Sequence, residues 1–184
     1  MTNFVYDPKR QGYDTNLFKT LVGVPAVVGN HVILNATEIV GYADMYGCDL
    51  TMRLIIPAAP KAGDVRQFGL ASAAFGSLIV FDITDAVFSI LATNEQGDTK
   101  SEVVTFDAAW AATPVDFEIR WRGTYADFLI RGINVVTPAN VYGATYRITD
   151  VAIPKGPLSM YFLNGVADNM EIVSINGKNI QTFI

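Results

Sequence analysis

The chain has 184 residues, a formal net charge of −5 and only 17% charged residues. The length suits one domain, and the acidic balance excludes nucleic-acid binding, which needs a basic stripe to displace counterions. Mean hydropathy is +0.29, yet no run approaches the about 18 apolar residues of a membrane helix. The surplus apolar area is therefore expected in a core and in contacts between subunits.

Residues 1–29 are punctuated by Pro8, Gly12, Gly23, Pro25 and Gly29. They read as an extended N-terminal arm, with 30–184 as the folded domain. Within the arm Phe4, Tyr6, Tyr13, Leu17 and Phe18 are too apolar for a solvated tail, and Pro8 with Gly12 discourages a continuous helix. These five are expected to mediate assembly, lying over a neighbouring subunit or a particle beneath. Lys9, Arg10 and Lys19 read as the arm's solvated face. The opening MTNFVYDPKRQGYD has no apolar stretch of the signal-peptide kind, so synthesis in the cytoplasm is expected, with a virion or cell surface as the place of work.

From His31 to Val40 the residues are β-rich and read as one strand opening the domain. Gly41 to Asp49 is a turn region. Leu50, Met52, Leu54 and Ile56 then share one strand face. Residues 57–64, PAAPKAGD, form a loop. VRQFGLAS and SLIVFDIT read as strands, and Asp85 turns the chain into AVFSILAT. Asn94 to Gly97 is a hairpin connection whose glycine takes the left-handed conformation. Glu102 to Phe106 is the returning strand, and Asp107 to Trp110 a bend or helical turn. Next, Phe117, Ile119 and Trp121 alternate with Glu118, Arg120 and Arg122, so a one-residue slip would bury three charges. In the partner strand Ala126, Phe128 and Ile130 face inward, and Asp127 is expected to pair with Arg120 or Arg122. Asn164-Gly165 and Asn176-Gly177 read as turns.

Cys48 is the single cysteine and His31 the single histidine. No internal disulfide and no zinc site can be built from them, and Cys48 reads as a small buried thiol. There is no Gly-x-Ser-x-Gly elbow for a serine triad and no phosphate-binding Gly-Lys-Ser/Thr loop.

Three segments resemble the concanavalin A-like lectin/glucanase superfamily, near its laminarinase-like branch. They are FEIRW with its hairpin into ADFLIRG, the Pro154-Lys155-Gly156-Pro157 connection into Leu158–Leu163, and Asp168-Asn169 before a closing strand. The resemblance spans roughly residues 31–177, with Arg131-Gly132 standing where the family usually shows Asp-Gly. It implies an all-β fold, a two-sheet antiparallel β-sandwich of the jelly-roll kind, here with the N-terminal arm added. The superfamily's glucanases carry Glu-x-Asp-x-(x)-Glu on one strand, because alternate residues face one cleft and the two working carboxylates must stand about 5–5.5 Å apart. The corresponding SLIVFDITD offers Asp82 and Asp85 and no glutamate, so no catalytic residue carries over and the chain reads as not an enzyme.

Sandwiches of this kind often hold calcium through loop Asp and Asn. Asp168 and Asn169 are the metal candidates, with Asp44 and Asp49 behind them; otherwise no cofactor is expected. A glycan would need an aromatic platform with polar neighbours. Trp110, Tyr142 and Tyr146 are the candidates, while Trp121 shares the core face of its strand. The reading that follows is a non-enzymatic structural or assembly sandwich, such as a phage capsid or decoration protein at a virion surface, which joins copies of itself. The alternative is a lectin-like carbohydrate-binding module.

Overall fold

A computed structural model describes residues 3–131 and 145–180. The strands are β1 (Asn3–Tyr6), β2 (Phe18–Val22), β3 (Ala26–Val28), β4 (His31–Leu34), β5 (Thr37–Gly41), β6 (Cys48–Ile55), β7 (Val65–Ala71), β8 (Leu78–Thr84), β9 (Val87–Thr93), β10 (Thr99–Val103), β11 (Pro114–Trp121), β12 (Ala126–Arg131), β13 (Tyr146–Ile148), β14 (Ser159–Asn164) and β15 (Met170–Asn179). They form two sheets. The larger is ordered β13-β12-β11-β6-β15-β4-β3, with β1 also on β15; the smaller is ordered β10-β9-β8-β7-β14-β5-β2. Strand content is 56% and helix 4%, which meets the sandwich expectation. No helix among the described residues is long and apolar enough to cross a membrane.

Period-two burial explains the layering. In β11, Val115, Phe117, Ile119 and Trp121 are buried and Asp116, Glu118 and Arg120 lie opposite. Leu50, Met52, Leu54, Phe128, Ile130, Leu158, Met160 and Phe162 are likewise buried. Aromatic rings join the two sheets: Phe68 meets Phe117 at 4.9 Å, Phe81 meets Phe117 at 5.1 Å and Phe128 at 5.2 Å, all edge to face. Each such pair adds about 1 kcal/mol beyond the area it buries. Gly69 in β7 has φ +149°, and a Cβ there would strike the Ile79 carbonyl and come within 2.8 Å of Ile119. Only glycine lets β7 take this conformation beside β8 while Ile119 of the facing sheet packs against it.

Several sequence expectations change. The residues read as an arm form β1, a short helix α1 (Pro8–Gln11), β2 and β3, so they are sheet rather than tail. Asp7 caps α1 by accepting from Lys9 N–H at 3.0 Å, and Tyr6 donates to the Gly12 carbonyl at 2.5 Å, which folds the segment back on itself. The His31–Val40 strand is two strands, one in each sheet. Ala36 takes φ +44° between them, and its N–H donates to the Val166 carbonyl at 2.9 Å. The returning strand is Thr99–Val103, earlier than expected. Asn176-Gly177 is no turn but lies inside β15; Gly177 stands there because a Cβ would collide with the Phe4 ring of β1. Asp127 pairs with Arg147 of β13, while Arg122 bonds Asp49 and Arg120 bonds Glu118. The turn at Asp85 and the Asn94–Gly97 hairpin stand, with Gly97 at φ +87°. Cys48 is buried, and burial pushes its thiol up to about 12.

Candidate functional site

Strand register defines the outer face of the smaller sheet. One row across it reads Ser101, Leu91, Val80, Gly69, Tyr161, Val40 and Lys19. The next reads Val103, Ser89, Asp82, Gln67, Leu163, Glu38 and Val22. Apart from Gly69, these residues point away from the core, yet Val80 and Tyr161, with Ala71 of the adjoining row, are buried and gather Leu78, Leu91 and Leu163 into a second apolar cluster. That cluster is where SLIVFDIT and AVFSILAT lose clean alternation: apolar residues occupy both faces.

The loop after β7 completes the face. Phe75 N–H donates to the Ser72 carbonyl at 2.9 Å and Ser77 N–H to the Ser72 hydroxyl at 3.1 Å. This tight loop holds Phe75 at φ +54°, an outlying conformation for an aromatic residue. Its ring lies 5.3 Å from that of Tyr161 and stays 38% exposed. A second loop, residues 42–47, exposes Tyr42 and Tyr46. It is fixed to the start of β14 by Met45 N–H to the Leu158 carbonyl at 2.8 Å and by Ser159 donating to Asp44 at 3.1 Å.

Polar groups on the face are oriented. Gln67 donates to Asp82 Oδ1 at 2.8 Å, and Tyr161 donates to Glu38 Oε1 at 2.9 Å. Burial, then the Glu38 partner, holds the Tyr161 hydroxyl well above the ordinary tyrosine range. Asp82 and Glu38 are three strand spacings apart, about 14 Å, far beyond the separation of a retaining carboxylate pair. Phe75 at one end of the face can stack on the C–H face of a flat neutral ligand, and a ligand long enough to run four residues along β7 and β8 from that end would meet the Gln67–Asp82 pair.

The residues picked from sequence lie elsewhere. Trp110 is buried, with its ring 5.4 Å from Phe106 and 6.3 Å from Phe88, so it seals one margin of the core. Tyr146 packs partly buried against the core from β13; Tyr142 is outside the described residues. Asp168 accepts from Arg66 at 2.6 Å and Asn169 accepts from Asn35 at 3.0 Å. Among the described residues no three His, Cys, Asp or Glu side chains gather into a metal set. Of the assembly candidates, Tyr6 and Phe18 are core residues with rings 5.3 Å apart, and Phe4, Tyr13 and Leu17 pack against the same core. Their apolar character serves this chain's own interior. Phe75 and Tyr161 were missed because a face-forming aromatic beside a glycine-bearing loop looks like any core residue in sequence. The doubled apolar runs were the available signal.

No family model matches the chain, and no curated protein matches it. Solved structures do. A β-1,3-1,4-glucanase (lichenase) from a mouse hindgut metagenome superposes with TM-score 0.69 at 14% identity, covering 98% of this chain and 100% of that one. The Crh5 transglycosylase in complex with NAG gives 0.73 at 13%, covering 98% and 85%. The carbohydrate recognition domain of Emp47p gives 0.65 at 9%, covering 96% and 95%. The chain thus has the concanavalin A-like β-sandwich fold. Most of the similar structures are glucanases, a glycosidic hydrolase and transglycosylases, which overturns the exclusion of an enzyme drawn from the sequence. That exclusion rested on missing motifs, the glucanase carboxylates first among them, and each motif speaks to a single arrangement of side chains, whereas the fold shared with these enzymes spans nearly the whole chain.

Proposed function

We propose that the protein binds a neutral glycan along the outer face of the smaller sheet, running from the end bounded by Phe75 and Tyr42 toward the Gln67–Asp82 pair. The observation that carries this is the pairing of an apolar, sparsely charged face with an exposed aromatic ring held beside Tyr161, whose hydroxyl is oriented by Glu38. Sugars present apolar C–H faces and planar sets of hydroxyls, and this mixture suits both. A charged polysaccharide would find little there: the strand residues of the two rows bring only Lys19, Glu38 and Asp82. The lichenase and the carbohydrate recognition domain sharing the fold support a sugar ligand, and the former points to mixed-linkage β-glucan as the first probe.

Affinity electrophoresis in gels containing lichenan tests the reading, with polygalacturonate as the acidic control. Retardation by lichenan alone is expected. Phe75→Ala should weaken it about tenfold or more, as loss of an aromatic anchor does, and Asp82→Ala should weaken it further. Equal mobility in all gels, or retardation that both substitutions leave intact, would defeat the proposal.

A further inference from the structure

Ser159 and Tyr161 share the outer side of β14, about 7 Å apart along the strand. Each spends its one hydroxyl proton on a carboxylate: Ser159 on Asp44 Oδ1 at 3.1 Å, Tyr161 on Glu38 Oε1 at 2.9 Å. A hydroxyl committed in this way can only accept from a ligand. Asp44 Oδ2 and Glu38 Oε2 have no hydrogen-bond partner among the described residues, and neither carboxylate stands in an ion pair there.

The two carboxylates bracket Tyr161, and with it the ring of Phe75 at 5.3 Å. Ser159, which holds Asp44, pairs with Ala71 and so lies toward the loop that carries Phe75. Glu38 pairs with Leu163, two residues to the other side of Tyr161. Asp44 is also held from its own loop, because Met45 and Leu158 exchange two backbone bonds, at 2.8 and 3.0 Å. A ligand stacked at Phe75 therefore has a fixed carboxylate on either side along β14, each with one oxygen still open. Carboxylate oxygens accept and never donate. In a neutral sugar the donors are its hydroxyls. An ester on a hydroxyl removes the proton and leaves only acceptors, which a carboxylate repels.

We propose that Asp44 and Glu38 select the ligand by its free hydroxyls, each accepting from one hydroxyl of the unit stacked at Phe75, so that the site takes an unesterified glycan and rejects an O-acetylated one of the same backbone. The inference rests on the glycan reading above and names which glycans that site takes. Bonds to an ionised acceptor are roughly twice as strong as neutral ones, so each lost bond should cost about tenfold or more in affinity.

Affinity electrophoresis with lichenan, and with the same lichenan after chemical O-acetylation, tests it. The wild type should bind lichenan at least about tenfold more tightly than the acetylated polymer. Glu38→Gln and, separately, Asp44→Asn should weaken lichenan binding about tenfold and narrow the gap between the two polymers. Both substitutions keep an oxygen for the Tyr161 or Ser159 hydroxyl, and unchanged melting confirms that the face is intact. Phe75→Ala should weaken both polymers alike and leave their ratio unchanged. Equal binding of the two polymers by the wild type overturns the inference and leaves the glycan reading standing. So does a ratio that neither Glu38→Gln nor Asp44→Asn alters, since bulk alone would then exclude the ester. A wild type that binds neither polymer overturns both.

Discussion

Across the larger sheet one row reads Arg147, Asp127, Arg120, Asp49 and Lys178, with sign alternating at every strand. The parallel row Arg131, Asp116, Arg53 alternates too. Across the smaller sheet the corresponding row, from Ser101 to Lys19, has no charge until its last residue. The low charge of this chain is therefore not thinned evenly over its surface. On one face charges answer each other, with Arg122–Asp49 at 2.5 Å, Arg120–Glu118 at 2.6 Å and Arg53–Asp116 at 3.2 Å. Arg122–Asp49 and Arg53–Asp116 join neighbouring strands, and such pairs specify register as well as stability. On the other face register is held by packing around Gly69, and the neutral area is left for a ligand.

The sharpest way to break this contrast is to charge the neutral face. Val80 is fully buried between Ala71 and Tyr161, two residues from Asp82 on the same side of β8. Val80→Asp places a second, unpaired carboxylate there and should lower stability by about 4 kcal/mol. Urea unfolding measures it. A loss under about 1 kcal/mol would mean that water reaches Val80 and the outer cluster is open to solvent.

Removing charge from the other face should have a somewhat smaller effect. Asp127 is only 4% exposed and binds Arg147, whose guanidinium also lies 4.1 Å over the Tyr125 ring. Asp127→Ala leaves Arg120 and Arg147 as like-charged neighbours on either side of position 127 and should destabilise by about 3 kcal/mol. Adding Arg147→Met should recover part of the loss, since an apolar replacement needs no partner. If the double variant is less stable than the single one, the pair is not the unit of stability on this face.

The neutrality of the smaller sheet's face should persist into alkali. Tyr161 and, in the core, Tyr6 both hold their protons above the usual tyrosine range, Tyr6 up to about 12 and each chiefly through burial. The unfolded chain releases those protons first, so stability is complete below about pH 10 and falls above it by about 1.4 kcal/mol per pH unit for each group. Tyr161→Phe should remove one group's share of that slope, read from denaturant unfolding between about pH 9 and pH 11. An unchanged slope would show Tyr161 to be as open to solvent folded as unfolded.

Much of this was legible in the residues. FEIRW and DLTMRLI alternate, and alternation fixed which side of β11 and β6 became the core. The charged face could be read the same way, although the partner of Asp127 could not: β13 lies far along the chain, and only the fold brings Arg147 across from it. The N-terminal segment misled for a related reason. Pro8, Gly12, Gly23 and Pro25 do mark breaks, but breaks between short strands look like those of an arm until β1 is seen pairing with β15 and β2 with β5. Asn176-Gly177 has turn chemistry, yet the Phe4 ring packed over that glycine decided its conformation. The candidate face stayed hidden because Phe75, Tyr161 and Asp82 are scattered in sequence, and because the loop aromatic favoured at first, Trp110, found partners in Phe88 and Phe106.

The smallest effect belongs to Arg53, and it separates two accounts of the charged face. Its side chain is 51% exposed and that of Asp116 is 32% exposed. Water screens an open pair of this kind, and ordering two long side chains offsets most of the attraction, so Arg53→Ser should cost at most about 0.5 kcal/mol. If the rows acted as one coupled network, removing an end member would weaken its neighbours and the loss would exceed that of an isolated pair. A double-mutant cycle between Arg53→Ser and Asp127→Ala measures the coupling directly. Additivity is expected, because the two sites share no bonding partner. A coupling above about 1 kcal/mol would make the face a cooperative lattice rather than a set of local pairs.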